Sequence, residues 1–379
     1  MKKIVILCIP IYFVIMGVSF VLFSGMLGGA QTKTQTTNTN TPTEGDSGPK
    51  TEECPLNGAY YSVQQRQLWE KRRPLGVMVE NSTDARPQSG LSKADVVFEA
   101  VAEGGITRFL SVFYCQTSPI VGPVRSARVY FLDFIGGFGE SPLYAHVGGA
   151  NTPGPANALG QIEDMDWVGY NDINQFSVGY PVFWRDYERL PGVATEHTMY
   201  TDTSKLWKTA ASRDLTNVDE EGVSWDKTFV PWVFKEESPL EKRPATASVA
   251  FGFWEDYRQF NVVWTYNKTT NTYTRTNGGK KHLDKATNKQ LQAKTIVIVY
   301  MDEGVADDGY DQGQHLLYGT KGTGDAVILQ DGTVTKGSWA KKDRFTQIRF
   351  YDASDEEVKF NRGTIWVEVL PTGNKVVYK

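Results

Sequence analysis

Histidine and cysteine are scarce in this 379-residue chain, with 4 of the first and 3 of the second. So few exclude a scaffold stapled by several disulfides and leave little for a thiolate or poly-histidine zinc site. Positive charge is not in surplus either. The 40 Lys and Arg are outnumbered by 44 Asp and Glu, for a net charge of −4, so a nucleic-acid partner is not expected. No Gly-Lys-Ser phosphate loop, G-x-S-x-G elbow or H-E-x-x-H pair occurs, which sets aside the hydrolase classes built on those motifs. The acidic stretch carrying Asp302, Asp307, Asp308 and Asp311 lacks the ligand spacing of a Ca²⁺ loop and reads as solvated. No metal and no cofactor are expected.

What is abundant points to sheets with tight turns: 10 Trp, 18 Tyr and 36 Gly. The length favours two packed domains. Lys2 and Lys3 precede an apolar run from Ile4 to Leu27, enough for a helix spanning roughly 30 Å of hydrocarbon. The lysines would hold the N-terminus in the cytoplasm and place the bulk of the chain outside the cell membrane, as a single-pass anchor. The small residues Gly28, Gly29 and Ala30 offer the alternative of a cleaved signal. The expected organisation is an anchor over residues 1–30 and a flexible linker over 31–68. An α+β or α/β N-terminal domain follows over 69–240, then a mainly antiparallel β domain over 241–379. Cys54 and Cys115 could bridge in such a compartment, or remain two partly buried thiols.

Within the first domain, residues 74–79 (PLGVMV) read as a buried strand. Residues 94–102 and 106–115 are apolar runs joined through Glu103-Gly104-Gly105, a hairpin signal. That register would set Val101 opposite Arg108 and put Glu99 and Glu103 on the face of Arg108. Helices are expected over 126–135, capped by Ser126, and over 202–213. In the second half, alternating runs and an Asp331-Gly332 turn suggest an antiparallel sheet or partial barrel.

The strongest site candidate is Gly122-Pro123-Val124-Arg125-Ser126-Ala127-Arg128. Two arginines at a helix N-terminus conflict with the dipole, and a bound anion would resolve the conflict. Arg86, Arg108 and Arg185 could complete an anion pocket, with Glu99, Glu103 and His146 lining or orienting it. Arg185-Asp186 and Glu196-His197 lie in later loops. The competing reading is an ion-pair network in which Glu99, Glu103 or Asp133 pairs with Arg125 and Arg128.

Residues 85–113, containing GGITRF, the GPVRSAR segment, His146-Val147-Gly148-Gly149, FWRD (183–186) and EHTMYT (196–201) together resemble the YerB-like family. In the second half, GDAVILQDGTVTKGSWAK and FNRGTIWVEVLP extend the resemblance, which spans most of 74–371. It implies a bacterial extracytoplasmic protein, often a lipoprotein, built of two domains of unknown function. A lipid-attachment cysteine is not readable here. The strand, Asp95, Pro-x-Arg and Gly-Gly order is also similar to the LytR-CpsA-Psr envelope phosphotransferases, with Asp95, Arg125 and Arg128 at the counterpart positions. The leading expectation is an anchored envelope protein that binds a phosphate- or carboxylate-bearing ligand. The alternatives are an envelope phosphotransferase or hydrolase acting on a phosphorylated glycan or lipid carrier, and a scaffold for a protein partner.

Overall fold

The computed structural model describes residues 48–379 except 246 and 311–313. The expected anchor, and the linker as far as residue 47, lie outside the described residues. Among those described, no helix is long and apolar enough to cross a membrane. Residues 50–68, expected as the end of the linker, are structured. Lys50–Glu53 pairs antiparallel with Tyr60–Ser62, and Ser62 caps the helix Val63–Trp69 by a reciprocal bond with Gln65. Leu56 and Trp69 are buried there, and Cys54 is joined to Cys115 in a disulfide.

The N-terminal part mixes strands and helices and the C-terminal part is mainly β. One ten-stranded sheet runs through both. Its order is Arg349–Asp352, Thr333–Lys341, Gly322–Gln330, Thr295–Met301, Ile365–Pro371, Val96–Glu103, Ile106–Phe113, Leu75–Glu80, Leu143–His146, Asp172–Asn174. The seam between the halves is a parallel pairing in which Ile365 to Glu368 lie beside Val96 to Glu99. Strands at the centre of such a sheet are covered on both faces, which explains their near-continuous apolar runs.

One face packs on the seven-residue helix Val129–Ile135, through stacking of Phe98 on Phe134 at 4.8 Å. The other is covered by a smaller antiparallel sheet built around Ser248–Phe251, Val262–Asn267 and Thr272–Asn277. There Trp264, Trp366 and Phe109 meet edge-to-face. The strands anticipated over residues 74–79, 94–102 and 106–115 are present as Leu75–Glu80, Val96–Glu103 and Ile106–Phe113. Gln330 pairs with Thr333 across the Asp331-Gly332 turn, as its residue types require.

The first hairpin differs from expectation by one residue. Glu103 faces Ile106 and the turn falls at Gly104-Gly105, both at positive φ. Thr107, however, sits opposite Val101 and Arg108 opposite Ala100, with a register shift between Val101 and Glu103. The extra residue of this bulge moves Glu103 to the opposite face from Glu99. Glu103 therefore joins Arg108 on the helix-covered face, and Glu99 points into the smaller sheet.

Candidate functional site

The anticipated helix over 126–135 begins later, at Val129, with Arg128 at its N-cap and no side-chain cap. The preceding segment is extended because its backbone is already engaged. Arg125 N donates to Met78 O, Ala127 N to Gly148 O, and Val147 N to Arg125 O. In an extended chain, residues three apart project to opposite sides, so Arg125 and Arg128 separate. The helix-end anion clamp expected from these two residues is not formed, and Ser126 is not a cap.

Arg128 turns inward, where Glu103 binds it, and Arg108 donates to the same carboxylate at 3.0 Å. Burial pushes the Glu103 carboxyl up, but the charges of Arg108, Arg128 and Arg125 outweigh it and hold it at about 2. Arg108 also donates to Ser126 O at 2.8 Å. This triad lies beneath the segment carrying Arg125 and Ser126. His146 lies beneath the site too and is fully buried. Its ring nitrogens sit 2.7 Å from Gly148 O and 2.6 Å from Asp172 Oδ1, fixing the bend that carries Val147 to Gly149.

Above this floor opens a cleft of about 520 Å³, lined by Arg125, Ser126, Gly148, Gly149, Arg185 and Glu196, among others. Asn174 Oδ1 pins the Gly148 N–H. Arg185 is placed by the pairing of Phe183–Arg185 with Met199–Thr201 and braced by the Thr195 carbonyl and the Thr198 hydroxyl. Among the described residues no carboxylate lies within ion-pair distance of Arg185. Arg125 has only Glu80, with its Nε 3.6 Å from Oε1 and without a hydrogen bond. Glu196 is held below the ordinary carboxyl range, first by its own backbone N–H and then by the charges of His197, Arg125 and Arg185. Cationic side chains and a hydroxyl-bearing residue together suit a small anion.

Two further candidates lie elsewhere. Glu99 is on the opposite face of the sheet, bound by Arg275, Asn81 and Thr107. Arg86 sits over the Phe260 ring and donates to Asn81 and to Gln259 O, at the junction with the smaller sheet. Asp95 is buried against the disulfide and accepts from Asn57, Tyr114 N and Cys115 N, which removes it from any phosphotransfer role beside Arg125. Cys54, Asp95 and Cys115 bring their donor atoms within 4.8 Å of one another, but the two sulfurs are bonded to each other. A larger cavity of about 680 Å³, between Trp167, Val230 and Phe345, contains none of the candidates.

Sequence reasoning missed Glu80, the polar end of an otherwise apolar strand. It also missed the buried group of Arg275, Glu368 and His282. Arg275 shares its strand face with Tyr273 and Asn277, all buried, so the alternation of TYTRTN was the available signal.

The model of the N-terminal domain described as "Protein of unknown function (DUF3048)" matches residues 62–216, and that of its C-terminal domain matches 249–367. A protein of Bacillus subtilis (strain 168) described as "Putative lipoprotein YerB" is 31% identical over 327 residues, covering 84% of this chain and 86% of that protein. The crystal structure of YerB protein from Bacillus subtilis superposes with a TM-score of 0.69 at 27% identity, over 87% of this chain and 100% of that one.

Proposed function

We propose, from the premise that this chain belongs to the DUF3048 family together with YerB, that it is a membrane-anchored extracytoplasmic envelope protein binding an anionic ligand between Arg125 and Arg185. The ligand bears phosphate or carboxylate. Three things support the location: the description of the relative as a lipoprotein, the Cys54–Cys115 disulfide, which suits an oxidising compartment, and the apolar run from Ile4 to Leu27. In this reading the run is the tether.

The single observation that carries the ligand is electrostatic. Arg185 faces an open cleft with no carboxylate at contact distance among the described residues, and Arg125, paired only with Glu80 at 3.6 Å, lines the same cleft. An anion there gains charge-assisted hydrogen bonds from both, and the one internal ion pair it meets is the 3.6 Å contact of Arg125 with Glu80. Arg108 and Arg128 serve differently, with Glu103 between them fixing the floor. The test is thermal unfolding of the full-length chain with increasing inorganic phosphate. The melting temperature should rise by a few degrees in the wild type at millimolar phosphate, and not in Arg125→Ala/Arg185→Ala. An equal rise in both proteins would refute the site.

A further inference from the structure

Directly behind Arg125 and Glu196, which line the cleft, lies an arrangement that ligand binding does not require. Glu80 ends the buried strand Leu75–Glu80, where its own N–H is tied to Pro123 O and its carbonyl accepts from Gln88. Its carboxylate, 5% exposed, divides between two partners. Oε1 lies 3.6 Å from Arg125 Nε, and Oε2 lies 2.9 Å from His197 Nδ1. His197 sits on the short turn Thr195–His197 immediately after Glu196, which lines the cleft. Its backbone N–H is fixed to Ala194 O.

A carboxylate can only accept, so Nδ1 carries a hydrogen, and in the neutral ring that leaves the lone pair on Nε2. Among the described residues no protein group takes that nitrogen. A buried carboxylate that orients an imidazole and leaves its far nitrogen free is the arrangement of a general base. The same carboxylate sets Arg125 beside it, so the group that would hold an anion and the group that would move a proton share one anchor.

We infer that the cleft hydrolyses phosphate esters, with His197 as proton carrier, Glu80 as the positioning residue, and Arg125 and Arg185 holding the phosphoryl oxygens. This rests on the anion-binding reading above and extends it. A water molecule attacks phosphorus while its proton passes to His197 Nε2. The bond from phosphorus to the leaving oxygen breaks with its electron pair, and that oxygen takes the proton from His197. A diester and water thus become a monoester and an alcohol, with no change of oxidation state. The arginines stabilise the charge that builds on the equatorial oxygens.

The experiment follows 4-nitrophenolate release from bis(4-nitrophenyl) phosphate by the full-length chain with EDTA present, alongside calorimetric binding of inorganic phosphate. Wild type should turn over. His197→Asn should lose about a hundredfold or more in kcat with KM and phosphate binding within about twofold. Imidazole should restore rate to His197→Ala. Arg125→Ala should instead raise KM and weaken phosphate binding. Phosphate binding without nitrophenolate release, or a wild-type rate in His197→Asn, would overturn the hydrolytic inference and leave the binding reading standing. Loss of both binding and turnover in the wild type would remove both.

Discussion

The arginines of this protein have different roles because each guanidinium is matched, or left unmatched, by a particular carboxylate. Glu103 is shared by Arg108 and Arg128. Its carboxyl sits at about 2 in the folded chain against an ordinary 4.5, so it contributes stability above the ordinary value and loses it as pH falls from about 4.5 toward 2. Glu103→Gln should therefore be less stable than wild type near pH 7, by about 1–2 kcal/mol after allowance for its partly exposed side chain. Urea midpoints should show that gap closing across the acid window, and a gap that persists to pH 2 would contradict the assignment. Glu196, by contrast, shares the cleft with Arg125 and Arg185 without contacting either at ion-pair distance. An arriving anion meets its charge, so Glu196→Gln should tighten phosphate binding roughly fivefold, as read by titration calorimetry.

At the scale of elements, the seam between the two halves is the unusual feature. Glu99 and Glu368 are neighbours in the parallel pairing of their strands, both fully buried, with Arg275 between them. Arg275 also lies 5.0 Å over the Trp366 ring, and Trp264 donates to Glu368 at 2.8 Å. Arg275→Met would leave both carboxylates without their cation, at a cost of about 3–5 kcal/mol in urea unfolding.

Burial first, and then the neighbouring Glu99, pushes the Glu368 carboxyl well above its ordinary range. A raised group stabilises at low pH and loses that contribution as pH climbs through its folded value. Glu368→Gln should accordingly flatten the alkaline side of the stability profile, and an unchanged profile would count against it. His282, close by, is held well below its usual range by burial and by Arg275 and Arg86, so it adds no compensating positive charge.

These features also mark where the sequence could be read and where it could not. Apolar runs and turn residues placed the central strands within one or two positions, because a strand buried on both faces has few other ways to look. The hairpin turn at Gly104-Gly105 was legible, but the bulge before it was not, and that single residue sent Glu99 and Glu103 to opposite faces. Arg125 and Arg185 were named as candidates, and their shared cleft depends on the extended path of residues 121–127. That path follows from backbone bonds to Met78, Gly148 and Val147, which local sequence does not encode. The ion-pair alternative describes Arg128, held by Glu103, but not Arg125, whose one carboxylate is Glu80, and the cleft is left to Arg125 and Arg185.

On the scale of the whole molecule, a sheet shared by both halves makes them interdependent. The strand Ile365–Pro371 from the C-terminal part supplies the neighbour of Val96–Glu103. A chain cut after residue 240 would expose that central strand as an unprotected edge. Such a fragment should aggregate or remain unfolded by circular dichroism, and a cooperatively folding fragment would show that the halves are independent. The disulfide closes a separation of 61 residues, and replacing both cysteines by serine should cost about 2–4 kcal/mol in unfolding free energy. Of the 3 cysteines in the chain, only Cys8 remains outside this bridge, so denaturing, non-reducing alkylation of the full-length protein should add one label.

The proposed ligand site is formed by Arg125 and Arg185, and not by Arg108 and Arg128. The most direct measurement is titration calorimetry of inorganic pyrophosphate into the full-length wild type and Arg125→Ala/Arg185→Ala, with circular dichroism confirming that both are folded. Binding to the wild type at one site per chain, reduced at least about tenfold in the folded double variant, is the predicted result. Undiminished binding by that variant, or none by the wild type, would contradict it.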